Sequence, residues 1–225
     1  KRTVLLSVED LSRFSPDELA LPQFRSTYDL ELLSLCTRQL GRLGDHENWR
    51  YTPRLMFSSS DTGFQPVGQR IVAESPLTGL NRRVVSDGAS LVPVYEGKMV
   101  GLLDHRQADI YLNSKNVARQ AQERPIPMSE KNNPTRFAIP QHWLREEAVR
   151  QRRYGKTQGD WELVFCDVTS ATNERTALAC VIPLSGLTRN LPAIYLKSGS
   201  AKDAGVLACG LSTFALDYFA RLKVA

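Results

Sequence analysis

Leu91-Val92-Pro93-Val94-Tyr95-Glu96-Gly97-Lys98-Met99 is the stretch on which the reading of this chain turns. Its opening apolar run predicts a buried strand. Charge follows at once, in Glu96 and Lys98 and then in Asp104-His105-Arg106. Buried strands rarely end in so many ionisable groups unless those groups pair or do chemistry. The segment therefore predicts a polar site assembled at the mouth of a core strand.

Outward from it, short apolar runs at 70–73, 161–166 and 177–182 read as further strands bounded by Gly, Pro, Asn or Asp. Trp161, Leu163 and Phe165 alternate with Glu162 and Val164, the period of a strand. The turn at 169–175 leads from this run into the next, which predicts a hairpin that Pro183 ends. Ser26 and Asp29 have capping-box spacing, and Leu33, Cys36 and Leu40 recur at helical intervals before Gly41. Residues 11–24 read as an irregular lead-in, 48–68 as a long ordered loop or irregular hairpin, and 141–154 as an arginine-rich helix. The spacing of Leu207, Leu211, Phe214, Tyr218 and Leu222 predicts one helix over 206–223. The expectation is a mixed α/β fold: a helical lead-in over 1–47, an α/β domain over 48–203 and a C-terminal scaffold helix over 204–225.

Composition narrows the class. The 225 residues carry 29 Lys and Arg against 24 Asp and Glu, a net charge of +5 that suits a polyanionic partner or a merely solvated basic surface. Cys36, Cys166, Cys180 and Cys209 are widely separated, and none forms a Cys-x-x-Cys pair with which a histidine could complete a zinc site. Cysteines among apolar neighbours suit a reducing, cytoplasmic compartment. No run of about 18 apolar residues predicts a membrane span, so no membrane partner is expected. The chain begins at Lys1 rather than methionine, and the expectation is a piece of a longer protein.

Three clusters carry possible chemistry. Asp87 with Glu96 and Lys98 has the order of a Mg²⁺-dependent nuclease, in which carboxylates hold the ion and a lysine steers water. The alternative is a turn at Asp87-Gly88 and a chance pairing. Asp104-His105-Arg106 offers a general base or a polar network. Arg145, Arg150, Arg152, Arg153 and Lys156 suit phosphate and guanine contacts, with a solvated helix face as the alternative. No Gly-rich phosphate loop occurs.

Several segments then fall in a recognisable order: Pro22-Gln23-Phe24-Arg25 with Asp29, Met56-Phe57 with Asp61, Val92 through Met99, and Asp104-His105-Arg106. Trp143-Leu144, Asp167-Val168-Thr169, Thr172-Asn173-Glu174-Arg175-Thr176 and Leu216-Asp217-Tyr218-Phe219-Ala220-Arg221 continue it. This series resembles the C-terminal, target-recognition region of bacterial adenine-N6 DNA methyltransferases of the type IIG restriction-modification and DISARM-like phage-defence class. Phe165-Cys166-Asp167 departs from the Phe-Arg-Asp of such proteins, so an arginine role there is not carried over. Asn132-Asn133-Pro134-Thr135 lacks the second proline and the aromatic ring that would hold a flipped adenine.

The resemblance implies a module that reads duplex DNA and is not catalytic by itself. S-adenosylmethionine and methyl transfer would belong to a catalytic domain of the same parent chain. It implies a target-recognition-type domain with a mixed or antiparallel sheet. Basic DNA contacts are expected from Lys98, Arg106, Arg150, Arg152, Arg153, Lys156 and Arg175, and polar ones from Tyr95, His105 and Asn173. A Mg²⁺-dependent nuclease and a protein-interaction scaffold stand as the alternatives.

Overall fold

Apolar runs too short for helices bury themselves by pairing edge to edge and stacking face to face. A computed structural model describes residues 5–17, 19–45, 47, 49–52, 57, 67–68, 77–116, 121–153, 159–196 and 200–224. Helices α1 (Val8–Phe14) and α2 (Thr27–Gln39) lead into strands β1 (Trp49–Thr52), β2 (Val67–Gly68) and β3 (Leu77–Thr78). Next come β4 (Arg82–Val84), β5 (Ser90–Tyr95), β6 (Ala108–Leu112), β7 (Ala121–Pro125), the single turn α3 (Met128–Lys131) and β8 (His142–Arg145). Helix α4 (Glu146–Arg152), strands β9 (Trp161–Phe165), β10 (Ala179–Pro183), β11 (Gly186–Leu187) and β12 (Ala193–Leu196), and helices α5 (Ala201–Leu211) and α6 (Phe214–Lys223) follow. The class is mixed α/β, with largely antiparallel sheets.

One sheet runs β1-β12-β9-β10 and the other β2-β8-β5-β4-β3, with β11 added parallel to β5. Their facing sides supply a common core that includes Val92 and Val94 of β5, Leu144 of β8, Val164 of β9, Ile182 of β10 and Tyr195 of β12. The opposite face of β9 sets Leu163 against Ile194 and Ala208, so this strand is covered on both sides. Strand β5 is buried along nearly its whole length, as its apolar run predicts. Pro93 falls where the neighbour on one edge changes from β4, last paired at Leu91, to β11, first paired at Val94. A residue without an N–H is tolerated there because that edge requires no ladder bond at that point.

The parallel β11 lies so close that a Cβ on Gly186 would meet Leu144 Cδ1 at 2.9 Å and Val94 Cγ2 at 3.4 Å. Gly186→Ala therefore forces a core leucine off its rotamer. The expected cost is about 1–3 kcal/mol, measured by urea unfolding. An unchanged midpoint would show that the sheet spreads to accept the methyl.

The Ser26–Asp29 capping box forms as its spacing predicts: Asp29 N donates to Ser26 Oγ (3.3 Å) and Ser26 N to Asp29 Oδ2 (2.8 Å). Three helical expectations are corrected. Part of the 11–24 lead-in is helical, because Ser7 and Asp10 build a capping box for α1. The 141–154 segment divides into β8 and the short α4, since Trp143 and Leu144 are both buried and a strand puts one on each face. The 206–223 helix breaks at Ser212, whose Oγ donates back to Ala208 O, and Thr213 caps α6 by accepting from Leu216 N. Helices α1, α2 and α6 meet: Tyr218 donates to Asp29, Lys223 Nζ to Phe14 O (2.6 Å) and Gln23 N to Leu222 O (2.6 Å). The expected strand at 70–73, and Met56, Asp61 and Lys156, lie outside the described residues. Among the described residues no helix is long and apolar enough to cross a membrane.

Candidate nucleic-acid interface

Strand β5 delivers the charged motif to one end of the two sheets, where β9 also finishes and β10 begins. Gly97 to Met99 form a single tight turn after the strand. Cys166, just past β9, places its thiol 3.4 Å from Gly97 O, and Leu103 N donates to Ala179 O at the start of β10 (3.1 Å). Gly97 is required by close approach, since a Cβ there would lie 3.1 Å from Asn190 O. Leu103 is held at φ 53°, a left-handed conformation that costs a bulky residue about 1–3 kcal/mol and persists only where its surroundings demand it. The 92–106 segment thus meets Cys166 and Ala179, the residues that flank the 167–176 turn, although some sixty residues of chain lie between them.

The charged residues of this end hold a separate two-stranded ribbon, β6–β7, paired from Ala108↔Pro125 to Leu112↔Ala121. Lys98 Nζ sits 3.2 Å from Glu96 Oε2 and donates to Ala121 O (3.1 Å), tying the motif to the outer end of β7. Gln107 N donates to Met99 O and Ile126 N to Gln107 O, which fixes the ribbon's base. Asp104 accepts from Lys131 Nζ (2.6 Å) and Arg106 N (2.8 Å). Burial works against its charge, but those donors hold its carboxyl below the ordinary range. Arg106 donates to Asn133 O (3.0 Å) and Arg136 O (3.2 Å).

Sequence reasoning missed the carboxylate at the ribbon's foot. Asp109 is almost fully buried and accepts from Arg136 (2.6 Å), Arg124 (2.9 Å) and Ile139 N (2.9 Å). Burial opposes its ionisation, yet the Arg136, Ile139 and Arg124 hydrogen bonds outweigh that and hold its carboxyl below the usual value. The one local signal was Asp109 itself, a charge inside an otherwise apolar Ala108–Leu112 run.

The sequence-predicted contacts fall into groups. Lys98, His105 and Arg106 cluster around the ribbon. Tyr95 belongs to the same end but is wholly buried, with its hydroxyl donating to His105 O (3.2 Å). It braces the motif from inside and does not reach a nucleic acid, which corrects the expectation of a direct contact. His105 is half-withdrawn from solvent, and burial, followed by the charge of Arg106, pulls its imidazole pKa down.

The 169–177 loop carries Asn173 and Arg175 at this same end. Asn173 is exposed and its amide donates to Thr169 Oγ1 (3.4 Å). Arg175 donates to Ser212 O (2.5 Å) and lies over the Phe214 ring at 4.5 Å. Asp217 and Arg221 of α6 clamp the loop: Asp217 accepts from Thr176 N (2.6 Å) and Ala177 N (2.8 Å), and Arg221 donates to Ala171 O (2.6 Å) and Glu174 O (2.5 Å).

The arginines of α4 lie elsewhere. Strand β8 runs antiparallel to β5, pairing Arg145 with Leu91, so α4 leaves at the Ser90 end of the core. There Arg150 is neutralised by Glu146 (2.6 Å) and Asp160 (2.6 Å), and Arg152 stacks over Phe57 at 4.8 Å. Arg153 is buried against Glu162 (2.5 Å) and donates to Gly159 O (2.8 Å). The arginines of this segment are therefore paired or stacked, and Arg153 in particular is a core group. Arg145, Arg150 and Arg153 instead line a cleft of about 680 Å³ shared with Glu146 and Glu147.

The nuclease constellation does not assemble either. Asp87 lies in the turn before β5, bound to Arg145 (2.6 Å), while Glu96 and Lys98 follow the strand's far end. A six-residue strand separates them by roughly 17 Å at about 3.3 Å per step. A shared metal needs carboxylate oxygens within about 2–2.6 Å of one ion. The Asn132–Thr135 segment is a closed turn, in which Asn133 Oδ1 accepts from Thr135 N (3.0 Å) and Thr135 Oγ1 (2.8 Å). No family model matches the sequence, and no curated protein or solved structure matches it either.

Proposed function

We propose that the chain is the duplex-DNA target-recognition region of an adenine-N6 DNA methyltransferase of the type IIG or DISARM-like class. The observation that carries this reading is the meeting of the 92–106 segment with Cys166 and Ala179, which flank the 167–176 turn, with the motif's charges spent on holding the polar β6–β7 ribbon. In an enzyme's own site those charges would face a reacting atom; here they point to backbone carbonyls and to one another. Phosphate contacts from the exposed basic groups supply affinity, and base-edge contacts supply the choice of site.

S-adenosylmethionine and the methyl transfer belong, on this reading, to a catalytic domain of the same parent chain. The exposed apolar residues Val8, Tyr28 and Leu35 of α1 and α2 supply a surface on which that domain can pack. The setting is a bacterial restriction-modification or phage-defence system, in the cytoplasm.

The test is titration of the purified chain against a randomised duplex pool over a range of salt, with and without Mg²⁺, followed by sequencing of the retained DNA. The expected result is enrichment of a short motif with the DNA left intact. The logarithm of affinity should fall linearly with the logarithm of salt, by about 0.9 per phosphate neutralised. Mg²⁺-dependent nicking would replace this reading with a nuclease built on other residues. Absence of binding at low salt would leave an interaction scaffold.

A further inference from the structure

We propose that one face of the β6–β7 ribbon is the element that reads base edges, and that it does so from the major groove. This rests on the duplex-DNA reading above and names the side chains that carry its specificity.

Register decides which residues share a face. Successive strand side chains alternate, and directly paired residues project to the same side. Asp109 pairs with Arg124 and Tyr111 with Gln122. Asn113, just past β6, opens a turn in which its Oδ1 accepts from Lys115 N (3.0 Å). The opposite face buries Ala108 and Ile110 in the body of the protein and carries Leu112 and Glu123. The ribbon thus has an anchored apolar side at its base and a polar side on which Tyr111, Gln122 and Arg124 stand together.

These are the residue types that read bases. Gln matches the N6/N7 edge of adenine, and Arg matches the O6/N7 edge of guanine. The only acid on that face is Asp109, which is buried and held by two arginines. Arg124 keeps its charge pinned at 2.9 Å from Asp109 while 65% of its side chain remains exposed. The Tyr111 hydroxyl donates to Gln122 Oε1, which aligns Gln122 across the ribbon. Both side chains are thereby set before any ligand arrives, and ordering costs on binding are correspondingly small.

Dimensions agree. Two strands lie about 4.8 Å apart, and a two-stranded ribbon is one of the elements that the roughly 12 Å major groove admits. Among the described residues neither β6 nor β7 pairs with a third strand, although Ile110 N donates to Ile139 O (2.8 Å) at the inner end of β6. The anchors converge at the base and along β7: Asp109, Arg136, Arg106 and Lys98 hold the ribbon by named bonds. A reading element needs that rigidity, because base discrimination is lost when side chains are an ångström out of place.

The experiment repeats the pool selection with Gln122→Ala and Arg124→Lys. The last keeps a cation beside Asp109 but loses the planar fork. Circular dichroism and the thermal midpoint of each variant establish that it is folded. Binding to random duplex should stay within about twofold of the parent chain, because phosphate contacts dominate it. Binding to the selected duplex should fall about tenfold or more per variant, with the enriched motif relaxed at discrete positions.

A selected duplex carrying 7-deazapurines, which lack the major-groove N7 acceptor, should reproduce the loss. Inosine for guanine, which removes only the minor-groove amine, should not. Variants that retain the parent motif and affinity overturn the ribbon assignment while leaving the duplex-DNA reading intact. So does a loss caused by inosine and not by 7-deazapurines. If the parent chain itself enriches no motif but binds DNA, the base-reading role fails alone; if it binds no DNA, both readings fail together.

Discussion

Replacing Asp109 with alanine is expected to destabilise the fold by about 3 kcal/mol and to free the ribbon from the body of the protein. The carboxylate is buried and accepts from Arg136, Arg124 and the Ile139 N–H. Removing one member of a buried pair costs about 3–5 kcal/mol because the surviving charge keeps its desolvation penalty without its partner. The lower end applies here, since Arg136 retains Glu130 at 2.8 Å. Arg124 is mostly exposed and adds little to the total. For a chain of this length the loss corresponds to a fall of about 6–12 °C in Tm.

Amide hydrogen exchange locates the effect. Protection should fall first along β6 and β7, whose base is the part undone, while β5 and β9 keep theirs. Asp109→Asn should cost less, because its amide oxygen still accepts from Ile139 N. The pH dependence follows from the depressed carboxyl. Its stabilisation is fully present above the ordinary aspartate value of 3.8 and is lost as pH falls through the lower value of the folded chain. The asparagine variant should lack that share of acid destabilisation. Uniform loss of protection across both sheets would show that Asp109 supports the whole core and not the ribbon.

Why the sequence revealed some of this and concealed the rest is a matter of range. Strand β5 was legible because its apolar residues are contiguous and buried on both faces. The α2 cap was legible because Ser26 and Asp29 act on each other's backbone within one turn. The β9–β10 hairpin was legible from two apolar runs joined by turn residues, although the turn's anchor, Asp217, is about 40 residues away. Charge at 96–106 marked the end of the molecule where the ribbon is held. What that charge does was hidden, because its partners are Ala121, Lys131, Asn133 and Arg136.

Misreadings have equally local causes. The apolar spacing of 206–223 continues in helical phase through Ser212 and Thr213, so only their side-chain bonds mark the break. In β8 the adjacent Trp143 and Leu144 fit a buried helix as well as a strand covered on both faces. The ribbon was invisible because Ala121–Pro125 has neither β-branched nor aromatic residues and, among the described residues, pairs with β6 alone. Glu162 misled by its parity: it occupies the polar slot of an alternating strand yet faces the core, where Arg153 meets it.

That pair yields the other large expected effect. Arg153→Ala should cost about 3–5 kcal/mol at neutral pH, since it strands Glu162 in the core and abandons the carbonyls of Gly159 and Trp161. The double replacement Arg153→Met with Glu162→Leu should recover most of the loss, because apolar groups of similar volume carry no desolvation penalty. Burial pushes the Glu162 carboxyl up to about 7, against the opposing attraction and hydrogen bond of Arg153. Between its ordinary value of 4.5 and about 7, the folded chain holds a proton that the unfolded chain has released. Stability contributed by this group therefore falls as pH rises through that window and is level above it. Glu162→Gln should remove the fall, so its stability relative to the parent chain should climb between pH 4.5 and 7 in urea titrations. A pH-independent difference would mean that Glu162 stays ionised throughout, with Arg153 outweighing burial, and the double variant would then be markedly less stable than the parent.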